Sequence, residues 1–147
     1  MKSVKLVFRY TLVVAFLMLF KVDVIAGSLD SLELKGVIFN NKSRVKDVVV
    51  NIYDHNKLFE RIEVKASNRF ITNLPLNTIL TIEITAPNFH AKRFVMDTTV
   101  PNKLKKSKLK YDFDIDIFSE EELANVNTSF LDFPVGLVSF DRERKAF

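Results

Sequence analysis

The chain of 147 residues has no cysteine and no tryptophan, with only three glycines, four prolines and two histidines. Without cysteine no disulfide can staple the fold, so a packed core must hold it together. Its longest apolar run, YTLVVAFLMLF from Tyr10 to Phe20, has 11 residues, where a membrane-spanning helix needs about 20. The patterns of common catalytic sites are missing too: no Gly-x-Ser-x-Gly elbow, no phosphate-cradling glycine loop and no His-Glu-x-x-His helix.

What is present begins with a leader. Lys2, Lys5 and Arg9 precede the apolar run, and Val24 and Ala26 occupy small-residue positions ahead of Gly27. This layout predicts a secretory signal over residues 1–26 and a secreted or periplasmic protein of the cell envelope. A retained anchor is the alternative, which the length of the run speaks against. The leader holds four cationic side chains against Asp23 alone, so it carries +3 of the formal +4 charge. The remainder is nearly neutral, which argues against a nucleic-acid partner. Residues 27–147 are enough for one core and too few for two, predicting a single domain.

Period-two alternation dominates that segment. In KDVVVNIYD, Val48, Val50 and Ile52 share a face, with Asp47, Asn51 and Asp54 at wetter positions. In TILTIEITA, Leu80, Ile82 and Ile84 oppose Thr81, Glu83 and Thr85. Further strands are predicted at 32–39, 57–64, 68–74, 91–97, 110–118 and 135–140, separated by short turn-type connections. Eight short strands at this spacing predict an all-β sandwich. With glycine scarce, Asn56, Asn68, Asn77 and Asn88 are the expected sites of positive φ. The one helical signal is Ser119 with Glu122, a potential capping box over SEEELAN.

The densest cluster of carboxylates is YDFDIDIF. Alternation puts Tyr111, Phe113, Ile115 and Ile117 on one face and Asp112, Asp114 and Asp116 on the other. Same-face residues on a strand stand about 6.8 Å apart and point in parallel. Calcium needs oxygens converging at about 2.3–2.6 Å, usually from a bent loop. A solvated strand face is therefore expected, with no metal site, and such a row also discourages edge-to-edge aggregation. Five lysines in KLKKSKLK, Lys103 to Lys110, read as a solvated loop, because no aromatic interleaves them to form a stacking groove. His55 and His90 sit in turns expected at opposite ends of the sheet, too far apart to share a metal or form a catalytic pair.

Two stretches carry a family resemblance. LKGVIFNNKSRVKDVVVNIYD resembles the opening of carboxypeptidase regulatory-like domains, where a glycine-bearing strand leads through a turn to a valine-rich strand. SNRFITNLPLNTILTIEITAPNFHAKRFVMDT is similar to their continuation, with Asn68 and Asn88-Phe89 standing where the family tends to have Gly and Gly-Tyr. The resemblance covers Leu34 to about Thr98 and implies a transthyretin-like Greek-key sandwich of seven to eight strands. It implies a module without an active site or cofactor of its own, of the kind that accompanies enzymes, receptors or secretion machinery.

Taken together, these readings predict a protein that is not an enzyme, a structural or interaction module bound to an envelope or surface protein. Its candidate docking strand lies in the C-terminal extension, at Phe133, Val135, Leu137 and Phe140, and either completes its own sheet or adds to a neighbour's edge. A carbohydrate-binding module is the alternative, although only Tyr53 and Tyr111 follow the leader and Tyr111 faces inward. A transthyretin-like hydrolase would need clustered histidines and arginines, which two distant histidines do not supply.

Overall fold

The computed structural model describes residues 31–65, 67–104 and 108–147. The segment expected to be a leader, and Lys105 and Lys106 of the lysine run, lie outside the described residues. Among the described residues nine strands run in order: β1 (Ser31–Asn40), β2 (Ser43–Arg44), β3 (Val48–Asp54), β4 (Lys57–Val64), β5 (Arg69–Pro75), β6 (Ile79–Thr85), β7 (Lys92–Asp97), β8 (Leu109–Asp116) and β9 (Leu137–Ser139). The architecture is the expected all-β sandwich, with one single-turn 3₁₀ helix at Asn102–Leu104.

The first sheet has β1 at its centre, antiparallel to β5 and parallel to β8, with the two-residue β2 at its far end. The second has the order β4-β3-β6-β7-β9, antiparallel except for the parallel β7–β9 pair. β5 leaves the second sheet between β4 and β6, so β6 returns beside β3 in the crossed connection of a Greek key.

Alternation decides which side chains meet between the sheets. Leu32, Leu34 and Ile38 of β1 face Val48, Val50 and Ile52 of β3 and Leu80, Ile82 and Ile84 of β6 across one continuous core. Each such side chain contributes about 1.5–3 kcal/mol on burial, which is how the fold dispenses with disulfides. Near the sandwich margin Phe113 is the hub of an aromatic cluster. Its ring stacks with Tyr111 at 5.9 Å and meets Phe94 and Phe70 edge-on at 5.2 and 6.0 Å. Gly36 makes room for these rings. A Cβ there would lie 2.2 Å from Phe70 Cε1 and 2.9 Å from Phe113 Cζ.

The turns follow a different residue choice from the one expected. Asn77 and Asn88 do take positive φ, but Asn56 and Asn68 do not, and His55 takes it in the β3–β4 turn. Asn41, Lys42 and Asp47 adopt it as well. Asn68 is buried: its side-chain Nδ2 donates to the Ile38 carbonyl, while its backbone carbonyl accepts from the Ile38 N–H. It extends the β1 ladder with a side chain. The capping box forms without a helix, since Ser119 and Glu122 bond each other across a run of turns.

Candidate functional site

The predicted docking strand completes its own sheet. β9 lies parallel to β7, in register from Val95–Leu137 to Asp97–Ser139. Two backbone bonds extend the contact: Val135 N–H donates to the Arg93 carbonyl at 2.8 Å, and Val95 N–H to the Gly136 carbonyl at 2.9 Å. In a parallel ladder only alternate residues of a strand bond a given neighbour. Gly136, just before β9, and Val138 within it are the ones that do so, so the backbone groups of Leu137 and Ser139 face away from β7, along the sheet edge.

Four apolar side chains crowd this edge and the segment leading to it. Phe130 is 77% exposed, Phe133 67%, Leu137 66% and Val135 49%. Phe140 differs from the other three residues of the candidate strand: it is half-buried, its ring 5.4 Å from that of Phe147 in an edge-on contact. The exposed strip is thus Phe130 to Leu137, and Phe140 anchors the chain behind it.

What holds the strip in place was not foreseen. Alternation makes the outer face of the five-stranded sheet a wet one, yet Asn51 and Glu83 are each only 8% exposed. Arg61, Asn51, Glu83 and Arg93 stand on four adjacent strands in a single register row. Asn51 Nδ2 and the Tyr53 hydroxyl each donate to Glu83 Oε2 at 3.1 Å. Arg93 Nε donates to Oε1 at 2.8 Å, and Nη2 lies 2.6 Å from the same oxygen. The remaining guanidinium nitrogen, Nη1, donates to the Asp132 carbonyl at 2.8 Å. The tail is therefore gripped by Arg93 through both its backbone and its side chain. Burial works against the charge on Glu83, but bonds from Asn51, Arg93 and Tyr53, with the positive charge of Arg93, outweigh it and hold the carboxyl below its ordinary range. The Tyr53 phenol is pushed up by burial and by its bond to the Glu83 carboxylate. A signal for this row existed in the outward positions of neighbouring strands, but it needs the register, which spacing alone does not supply.

Other candidate residues fall as follows. Asp112, Asp114 and Asp116 are exposed on the outer face of the β8 edge, opposite the half-buried Tyr111, Phe113 and Ile115. Among the described residues no three His, Asp or Glu side chains converge as a metal site would require. At the base of β8 Lys110 bonds Glu33 at 3.1 Å and holds that carboxyl below its ordinary range. His55 and His90 do occupy opposite ends of the second sheet, since β3 ends where antiparallel β6 begins. Tyr53 is tied to Glu83 and Tyr111 lies against Phe113, so neither ring is a free platform for a sugar.

No family model matches this chain, and no curated protein matches it in sequence. Solved structures do match over part of the chain. The S.CueP protein is 11% identical over 56% of this chain and 61% of its own, with a TM-score of 0.40. Catechol 1,2-dioxygenase of Acinetobacter radioresistens is 9% identical over 76% of this chain and 59% of its own, at 0.48. 3-Chlorocatechol 1,2-dioxygenase of Rhodococcus opacus is 8% identical over 61% and 60%, at 0.43. The chain spans about three fifths of the length of each of these proteins. The expectation that the chain is not an enzyme does not stand: the solved chains it matches include dioxygenases. Likeness at this identity is one of fold alone, and no residue, metal or substrate transfers with it. Among the described residues no helix is long and apolar enough to cross a membrane.

Proposed function

We propose that the protein is an exported β-sandwich of the carboxypeptidase regulatory-like kind that docks another cell-envelope protein through the Phe130–Leu137 strip. The carrying observation is that Phe130 and Phe133, in the turns leading to the edge strand β9, and Leu137, its first residue, are each about two-thirds or more exposed. Large apolar side chains clustered beside unpaired strand backbone favour an extended, alternately apolar segment of the partner, added as a further strand. Backbone bonds to Leu137 and Ser139 would supply affinity, and contact with the exposed apolar side chains would supply selectivity. The export reading rests on the leader, and the carbohydrate alternative has less support because both tyrosines are engaged.

The test compares full-length protein with a Phe133→Glu, Leu137→Lys double variant as bait in envelope extract. Both side chains are exposed, so the variant should keep its circular dichroism and melting temperature. A partner retained by the wild type and lost by the variant, then reproduced with that purified partner, supports the proposal. Equal recovery by both baits, or none by either, overturns it.

A further inference from the structure

Lys92 opens β7, one residue before the Arg93 carbonyl that receives the tail. Its Nζ donates to the Asp116 carbonyl at 2.6 Å and stands 5.5 Å from the centre of the Phe118 ring. An ammonium carries three donors, so that bond leaves two unused. Among the described residues Lys92 makes no ion pair, whereas Arg93 beside it does. A half-buried charge without a counter-ion, set against apolar surface, favours an anion from outside the chain. The surface in question is a cavity of about 310 Å³ whose walls include Phe118, Leu123, Leu131 and Val135. Lys92 is the one ammonium, guanidinium or carboxylate on its wall. That volume is at the lower end of the range for small-molecule sites, and a single polar group in an apolar wall is how such sites orient their ligand.

We propose that this cavity binds a small monocarboxylate with an apolar body, its carboxylate on Lys92 Nζ and its body among Phe118, Leu123, Leu131 and Val135. One ammonium balances one negative charge, and a phosphate dianion would leave its second charge uncompensated over apolar walls. Two free donors suit the two oxygens of a carboxylate, and charge-assisted bonds of this kind are stronger than neutral ones. Asp116 offers Lys92 only its backbone carbonyl. Asp132 is not on the wall, and its side chain is 74% exposed, so water screens its repulsion of an anion. His90 borders the cavity as well, but its Nε2 is buried out of a ligand's reach. An alcohol has no charge to set against Lys92, and an amine is repelled by it. Leu131 and Val135 belong to the tail while Lys92 and Phe118 precede it, so a bound molecule bridges tail and sheet. Neither Phe133 nor Leu137 lines the cavity, so this site and the docking strip stand or fall separately.

The experiment is a titration of the full chain with four probes: benzoate, benzyl alcohol and benzylamine, which share one ring, and acetate, which lacks it. The methyl signals of Leu123, Leu131 and Val135 are followed by NMR, and Leu58, on β4 at the far edge of the same sheet as β7, is the internal control. Benzoate should shift the three cavity residues saturably and leave Leu58 unmoved. It should bind at least about tenfold more tightly than benzyl alcohol or benzylamine, the difference expected of bonds to a charged group. Acetate should bind at least about tenfold more weakly than benzoate, because it buries no ring. Two variants place the ligand: Lys92→Met should bring benzoate down to the level of benzyl alcohol, and Leu131→Trp should abolish binding of both by filling the cavity. The comparison of probes on the wild type decides by itself where a variant does not fold. Should the cavity methyls fail to saturate, should any other probe bind as tightly as benzoate, or should its preference survive in folded Lys92→Met or its binding in folded Leu131→Trp, the proposal is wrong.

Discussion

Arg93 holds Asp132 by its carbonyl oxygen while two of its other nitrogens rest on Glu83. One planar guanidinium thus ties the tail to the sheet face. Arg93→Leu should release residues 132–139, seen as at least about tenfold faster amide exchange there, with a global loss of about 1–3 kcal/mol because the arginine is itself more than a third exposed. Arg93→Lys should not restore protection, since a single ammonium lacks the fork that reaches both acceptors. Unchanged exchange in Arg93→Leu would show that the backbone bonds alone hold the tail.

The same pair predicts a pH dependence. The folded state holds the Glu83 carboxyl below its ordinary value of 4.5, so its contribution is complete above that pH and is lost as the pH falls through the folded pKa. The stability gap between wild type and Glu83→Gln should therefore narrow from about pH 6 to about pH 3 in urea titrations. Glu33 and Glu122 are held low as well, but they act equally in both proteins and cancel. A gap independent of pH would remove Glu83 from the acid response.

Gly36 is required by its neighbours rather than by its backbone angles. A methyl group at 2.2 Å from Phe70 forces that ring to move, and Gly36→Ala should cost about 1–3 kcal/mol. Adding Phe70→Leu should recover part of the loss in a double-mutant cycle. Additive losses would mean that the clash is relieved elsewhere.

The aspartate row offers a contrasting expectation. Replacing Asp112, Asp114 and Asp116 together by Asn should leave the melting temperature within a few degrees, each site being exposed and worth within about 0.5 kcal/mol. Solubility is where the change should appear. β8 is an edge strand, and with its charges gone light scattering should show association at lower protein concentration. A large fall in melting temperature would give the row a structural role.

Much of the fold was legible in the sequence because half-buried strands write their burial directly as alternation. The predicted 57–64 coincides with β4, and the other seven strands agree to within a residue or two at most ends. Alternation reports which way a side chain points, however, and not what stands beside it. Asn51 and Glu83 point outward as expected and are buried all the same, because Arg93 and Tyr53 close over them. Asn56 and His55 are adjacent in one turn, and spacing alone could not decide which takes the left-handed angle. His90 reads as an ordinary turn residue until the tail is seen folded against it. The apolar tail strand was legible, but its parallel partner was not, since β7 and β9 are separated by a whole strand of the other sheet.

The central position of β1 governs the order in which the molecule can assemble. Of the described strands it is made first, yet its parallel neighbour β8 arrives late, and the Asn40–Ile117 bond that ends their contact spans 77 residues. Until then one flank of β1 stays open beside a hairpin-built sheet that can already form from local sequence. A chain made from its N-terminus must keep that flank from pairing with strangers until β8 has been made.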